Sequence, residues 1–460
     1  MLMHPVTANG NDSRIPLWLR IREFAVPPAM IETATTRRRA GDWAGACAAA
    51  GVDVDVDPRQ LARTHGSELA ARVLGDLRHL APDLLRWHMP RVASDGLLRP
   101  GLTTTLARYD PRERGKCCGR AGFIHLVVRT APAWADSGQR MSLALWDESR
   151  PEGGIGSHPH PRPNRRFRLD LHRHLWDARR SAELGIRCGT GRTAGGNGTE
   201  AAIAEHVPPG CAVDRWAAEA ELLLRTDGRP RGALQVRFGA RHRLILEYEG
   251  DPPALRIAYP YPRGAVSALP VLPYAATWML PDLALLRAGA ITADRLHPLV
   301  ASALVPEFSS AAPSSDTSAY SRAHLVQCRG EQHRVGLVDG TLTALDHSPA
   351  ELRREELLVA LSGTPLPCLQ AIDLAHRRPD CLAGARDRLR HGDIAGALAV
   401  VDNLLGPDAR LRAGALRDEL EVAAQREHTY RQFRSGPTES APPRKRRTHH
   451  RTHPRHAMAR

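Results

Sequence analysis

Apolar positions recur at helical spacing toward both ends of this 460-residue chain and alternate with period two between them. A helix is signalled from Pro28, a residue suited to the first turn, through Met30, Ile31 and Arg37–Arg39 to a break at Gly41-Asp42. A short helix from Trp43 to Ala50 follows, closed by Gly51. Val52-Asp53-Val54-Asp55-Val56-Asp57 then alternates strictly, which predicts a strand or extended edge with its acids outward. Asp57-Pro58 caps further helices that carry Leu61, Leu69, Val73, Leu77 and Leu80 to about Trp87.

The middle changes character. Leu97–Tyr109, Phe123–Val128 and Met141–Trp146 read as strands, and an amphipathic helix is expected near Leu169–Leu184. A helix near Val213–Arg225 precedes three alternating runs, Leu234/Val236/Phe238, Leu244/Leu246/Tyr248 and Leu255/Ile257/Tyr259, the pattern of an antiparallel meander. Two helical stretches, about 274–288 and 292–304, close this part. After a Ser/Pro-rich linker, Asp339-Gly340 between apolar runs signals a β-hairpin. Ser348-Pro349-Ala350-Glu351 is a capping box, and helices follow to about Phe433.

These patterns predict an α+β fold. Its expected parts are a disordered N-terminus (1–20), a helical unit (21–95), an α+β middle domain with a mixed antiparallel sheet (96–304), a linker (305–322), a β-hairpin and helical unit (323–434) and a disordered basic tail (435–460).

Charge changes this picture in one place. The net charge is +14, and all but Lys116 and Lys445 of the 64 cationic residues are arginine, a usage that fits a high-GC genome. Residues 436–460 carry seven Arg or Lys against the single acid Glu439, so nearly half of the excess belongs to the tail. Arg444, Lys445, Arg446, Arg447, Arg451 and Arg455 are the candidate contacts to nucleic acid or another polyanion. Eight cysteines without framework spacing read as reduced thiols. The opening MLMHPVTANGNDSR lacks the apolar run of a signal peptide, and the longest uncharged run, Ala265–Pro281, is broken by prolines, so no membrane span and a cytoplasmic setting are expected.

One internal echo stands out. Gly41-Asp42-Trp43-Ala44-Gly45-Ala46-Cys47-Ala48 aligns with Gly392-Asp393-Ile394-Ala395-Gly396-Ala397-Leu398-Ala399, each after an Arg-rich helix. The pattern resembles a single tetratricopeptide-type helical hairpin, in which Gly ends one helix, Asp caps the next and small residues permit close approach. A DNA-reading helix-turn-helix fits poorly, because the second helix offers Ala, Gly, Cys and Val where bases require Arg, Asn or Gln.

Candidate chemistry is sparse. Gly189–Ala194 matches a loose dinucleotide fingerprint but follows a helix, not a strand. Asp53, Asp55 and Asp57 begin like a calcium loop, yet Pro58 and Thr64 stand where Gly and Glu are required. Cys117-Cys118 lies among Arg112, Arg114, Lys116 and Arg120, which favour thiolate, without an identifiable base. His158/His160, His172/His174 and His324/Cys328/His333 lack zinc spacing. Arg237, Arg241, Arg243, Arg256 and Arg263 along the meander are diluted by Glu247 and Glu249. No catalytic residue, cofactor or metal is assigned.

Arg22–Glu32 with Gly41–Cys47, Asp76–His88, and Ala371-Ile372-Asp373 resemble a group of streptomycete (actinobacterial) proteins of unknown function, over most of the chain. The resemblance implies a cytoplasmic setting and supplies no activity. The expectation is a non-enzymatic adaptor or regulatory protein whose helical ends meet a protein partner. The alternatives are a nucleic-acid-associated protein acting through the tail and an enzyme built on the Gly- and His-rich loops of the middle segment.

Overall fold

The computed structural model describes residues 14–435 apart from 93–94, 111–121, 136–138, 150–157, 190–197, 240–241, 252, 259–260, 263–264, 307–323, 329–330, 339–340, 345, 349, 352, 356, 358–366, 368–369, 371–380 and 406–414. The architecture is α+β, and no helix among the described residues is long and apolar enough to cross a membrane.

Helix α1 (Arg14–Phe24) takes in residues 14–20 of the segment expected to be disordered, and residues 1–13 lie outside the described ones. Its anchor is Ile21, fully buried against the core. Then come α2 (Pro28–Arg39), α3 (Trp43–Ala49), the short strand β1 (Val52–Val54), α4 (Pro58–His65), α5 (Ser67–Arg78) and α6 (Pro82–His88). Proline opens α2, α4 and α6, where its missing N–H costs no hydrogen bond.

Strands β2 (Thr103–Tyr109), β3 (Ile124–Thr130) and β4 (Met141–Asp147) form an antiparallel sheet, which β1 extends in parallel beside β4 in the order β1-β4-β3-β2. Because Val52 pairs with Met141 and Val54 with Leu143, the N-terminal helices and the sheet share one core. That core runs from Ile21 through Leu84 and Leu126 to Val300, so the expected boundary at 95/96 divides nothing.

The segment after β4 departs from expectation. Instead of one amphipathic helix it makes three 3-10 turns, Leu169–Leu171, Arg173–Leu175 and Ala178–Arg180, before the short α7 (Glu183–Arg187). Leu169 and Leu171 are both buried, and a continuous α-helix would send residues two apart to nearly opposite sides. Asp76 and Asp177 hold the turns by accepting from Arg173 and Arg179, and Asp76 also accepts from Tyr109 Oη at 2.7 Å.

A second core follows. Helices α8 (Gly198–Ala204) and α9 (Trp216–Thr226) pack on the meander β5 (Gly232–Arg237), β6 (Arg243–Glu249) and β7 (Ala254–Ile257), around Trp216, Leu224, Leu234, Val236 and Leu246. After α10 (Tyr274–Thr277) the chain returns to the first core through α11 (Pro281–Arg287) and α12 (Pro298–Leu304). Two buried carboxylates secure that return. Asp282 accepts from Trp87 Nε1 at 2.7 Å and Arg22 Nη1 at 3.3 Å, and Asp83 accepts from His297 Nε2 at 2.9 Å. His297 Nδ1 in turn accepts from Leu299 N at 3.1 Å and caps α12. The meander unit is thus an insertion within the first.

The C-terminal part begins with an antiparallel sheet of β8 (His324–Cys328), β9 (Glu331–Val338) and β10 (Thr341–Ala344). Val338 pairs with Thr341, so two residues connect β9 and β10, as the hairpin signal requires. The capping box is reciprocal, with Ser348 N donating to Glu351 Oε2 at 2.9 Å and Glu351 N to Ser348 Oγ at 3.2 Å. Helices α13 (Cys381–His391), α14 (Ile394–Leu405) and α15 (Ala415–Ser435) complete the described chain.

The echoed hairpins, α2–α3 and α13–α14, match bond for bond. Gly41 and Gly392 adopt φ of +80° and +85°. Asp42 Oδ1 accepts from Gly45 N at 2.8 Å and Asp393 Oδ1 from Gly396 N at 2.9 Å, while Arg37 and Arg388 donate to the second carboxylate oxygens at 2.9 and 2.8 Å. A Cβ on Gly45 or Gly396 would lie 2.0 or 2.1 Å from that second oxygen. The glycine is therefore demanded by the cap itself and not by helix–helix approach, which corrects the reading from sequence.

Both hairpins present a helix end to one side chain. Arg86, 1% exposed, donates from Nε to Ala25 O at 2.9 Å, from Nη1 to Gln139 O at 2.6 Å and Ala50 O at 3.4 Å, and from Nη2 to His391 O at 2.9 Å. Arg86→Met is expected to lower unfolding free energy by about 3 kcal/mol or more in urea titration, because several buried carbonyls lose their donor. Arg86→Lys should not restore it, since one ammonium lacks the planar fork. Gly396→Ala should cost about 1 kcal/mol by disturbing the cap. Gly384→Ala is the control, for its added Cβ meets nothing within 4 Å.

Candidate functional site

Alternation along β2–β4 gives the first sheet two unlike faces. Ile124, Leu126, Val128, Met141 and Leu143 enter the shared core. The opposite face carries three cross-strand rows: Arg108–His125–Trp146, Thr105–Val127–Ala144 and Thr103–Arg129–Ser142–Asp53. One face of an antiparallel sheet is commonly solvated, and these residue types would suit water. Here they are covered. His125 is 8%, Trp146 6% and Arg129 5% exposed, and Val127, Ala144 and Trp146 form a small apolar cluster of their own.

Hydrogen-bond accounting on this face does not close. Thr103 Oγ1 donates to His160 O at 2.6 Å. Both ring nitrogens of His125, Nε and Nη2 of Arg129, Nε1 of Trp146 and Nε of Arg108 are buried without a partner. A buried polar group left so costs about 1–3 kcal/mol. Apart from His125, every one of these atoms is donor-only. Burial, reinforced by Arg108, pushes His125 down to about 4 against the opposing pull of Glu148 and Asp170, so its ring is neutral at pH 7. Burial also lowers Arg129, with Asp55 opposing. The His125 and Trp146 rings meet edge to face at 5.0 Å, and the Arg108 guanidinium lies 4.3 Å from the Phe123 ring centroid.

Neighbouring elements frame the face. Along β2, Asn164 N donates to Thr103 O at 2.9 Å, and at the end of β3 His158 Nε2 lies 3.0 Å from Thr130 O. Along β1, the acids expected to point outward instead anchor the end of α15. Tyr430 Oη donates to Asp53 Oδ2 at 2.5 Å, Arg140 also donates to Asp53, and Arg434 donates to both oxygens of Asp55. Phe433 meets Trp134 edge to face at 5.3 Å. Burial works against ionisation of Asp53, but the bonds from Arg140 and Tyr430 outweigh it and hold the carboxyl below its usual range.

The residues singled out by sequence are dispersed. Asp57 caps α4 by accepting from Arg59 N at 2.9 Å, away from the duties of Asp53 and Asp55. His172 Nε2 lies 3.0 Å from Glu219 Oε2, and Arg187 donates to the same carboxylate at 2.7 Å. Burial opposes ionisation of Glu219, yet His172 and Arg187 bring it to about 2, which makes this a buried structural pair. Burial raises Cys47 and Cys211 to about 12 and Cys188 to about 11, so these thiols stay protonated. Arg237 pairs with Arg243 and Arg256 with Glu247 on the meander, leaving mixed charge there.

Cys117-Cys118, Arg241, Arg263 and the tail cations Arg444, Lys445, Arg446, Arg447, Arg451 and Arg455 lie outside the described residues. Among the described residues, no group of three or more His, Cys, Asp or Glu is placed to hold a metal. Sequence reading missed Arg108, His125, Arg129 and Trp146. Their only signal is alternation with apolar neighbours, which a solvated sheet face shares.

Acid should expose the burial of histidine. Burial holds His88 and His391 down to about 3 and His125 to about 4. Below the unfolded value of about 6.5 only the unfolded chain takes up these protons, so stability complete above that pH is lost as pH falls toward 4 and 3. By pH 5 the loss should be on the order of 2 kcal/mol per histidine in urea titrations, and a profile flat from pH 7.5 to 5 would refute it. No family model matches the chain, and neither a curated protein nor a solved structure matches it.

Proposed function

We propose that this protein is a non-enzymatic adaptor or regulatory protein that presents its C-terminal helical hairpin to a protein partner. The observation that carries the reading is a contrast between the two matched hairpins. In the first, Trp43 is partly buried on the core and Cys47 is 1% exposed, covered by the neighbouring elements β1 and α6. In the second, the corresponding Ile394 and Leu398 are 47% and 42% exposed.

The difference is one of environment, not of local chemistry. Ile394 and Leu398 are four residues apart and share a helix face. Asp402 is the only charged residue of α14, whereas Ala385, Leu389 and Ala397 fill the interior of the hairpin. Val422 of α15, 44% exposed, adds to the apolar surface of these C-terminal helices. A partner helix or strand laid on α14 would supply the cover that β1 and α6 give α3.

Ile394→Asp with Leu398→Asp tests this, because both sites are solvent-facing and tolerate the change in fold. Burying each side chain contributes about 1.5–3 kcal/mol, so the double variant should weaken a cognate complex by a factor of about 100 or more. The measurement is affinity purification from the native host, followed by titration of the purified partner against both proteins. Equal affinity of the parent and the double variant for that partner would overturn the assignment.

A further inference from the structure

We infer that the polar face of the first sheet is a binding site for a small amphiphilic anion, a carboxylate or phosphate carried on an apolar body. The anionic head belongs at Arg129, and the body lies over Val127 and Ala144 toward His125 and Trp146.

Three observations converge on that chemistry. The unpartnered atoms of Arg129 and Trp146 are donors only, so they require acceptors. Water would bring donors as well and no charge, whereas an oxyanion supplies acceptors and neutralises a desolvated guanidinium. The acid that Arg129 senses, Asp55, is already held at both oxygens by Arg434. Arg129 presents two free donors, Nε and Nη2, in the fork geometry that grips carboxylate or phosphate oxygens.

The shape follows from the register. Arg129 and His125 are four residues apart on one face of β3, a span of about 13 Å. Between them lie Val127 and its cross-strand partners Ala144 and Thr105, none of them charged, which is why the ligand has a largely apolar body and not a second charge. His125 and Trp146, their rings 5.0 Å apart, close the far end with one acceptor-capable ring and one donor.

Hexanoate and hexyl phosphate serve as probes of the full chain, with inorganic phosphate and 1-hexanol as the head and body alone. Calorimetry and thermal melts should show binding and a raised Tm with one or both amphiphiles, and weaker effects of the isolated parts. A response to only one amphiphile assigns the head as carboxylate or phosphate. Arg129→Met should weaken that binding at least about tenfold while leaving the ligand-free melting temperature unchanged or higher, because an unsatisfied buried cation is removed. Trp146→Phe should retain the fold and bind more weakly. The proposal is overturned if neither amphiphile binds or if 1-hexanol acts as strongly as hexanoate. It is equally overturned if Arg129→Met responds like the parent or loses stability without ligand, which would make Arg129 a structural group.

Discussion

A buried guanidinium organises the N-terminal half and ties it to the C-terminal hairpin. Three of the carbonyls that Arg86 satisfies stand at the C-terminal ends of α1, α3 and α13, where no intrahelical donor remains and the helix dipole is negative. The fourth belongs to Gln139, the only described non-glycine residue with positive φ, at +58°. Desolvating a cation is costly, and convergence of several partial negative charges offsets that cost without a rigid ion pair. The arrangement has a geometric consequence. Helix ends far apart in sequence must arrive at one fork, so α13 docks beside α1, where Phe24 stacks on His391 at 6.2 Å and Arg20 donates to Asp387 at 2.6 Å.

The features legible in the sequence are those set by neighbours in the chain. Proline at first turns, the Ser348 capping box, the pairing of β9 with β10 and the Gly-Asp hairpins all depend on residues within five positions, and the structure reproduces each, the turn residues Asp339-Gly340 themselves lying outside the described ones. The meander is legible for the same reason, since its strands are consecutive. Long-range choices were not readable. Nothing in Val52–Val54 announces a parallel partner at Met141, and nothing in Pro281–Leu304 announces a return to the first core across an inserted unit. The polar face was hidden for another reason. His125 and Arg129 alternate with apolar residues just as a wetted strand does, and only the coverage of that face distinguishes the two.

Asp53, Asp55 and Asp57 illustrate how identical residues at period two acquire separate work. Asp57 lies beyond the strand and caps a helix. Asp53 is shared by Arg140 and Tyr430, and Asp55 takes the guanidinium of Arg434. An edge strand with unpaired backbone groups invites pairing with other chains, and acids together with a docked helix end discourage it. The calcium-like spacing is therefore a by-product of placing carboxylates along an edge that α15 must recognise.

The duplicate hairpins show that local chemistry does not decide whether a surface is finished. The same Gly-Asp-x-x-Gly cap builds α2–α3 and α13–α14 with nearly the same distances, yet one copy is enclosed by the sheet and α6 while the other stands at the margin of the fold. Apolar residues at the corresponding positions differ in kind as well: a half-buried Trp and a buried Cys in the enclosed copy, an Ile and a Leu in the open one. A position selected only for solubility beside a cap would carry charge, as Arg37 and Arg388 do on the preceding helices. Under the proposed function, the branched aliphatics at water-facing positions of α14 would meet a second protein surface, and the polar sheet face is the converse case, with buried donors that lack acceptors among the described residues. Each is a local mismatch between residue type and environment, and the chemistry of the residues sets what would complete it.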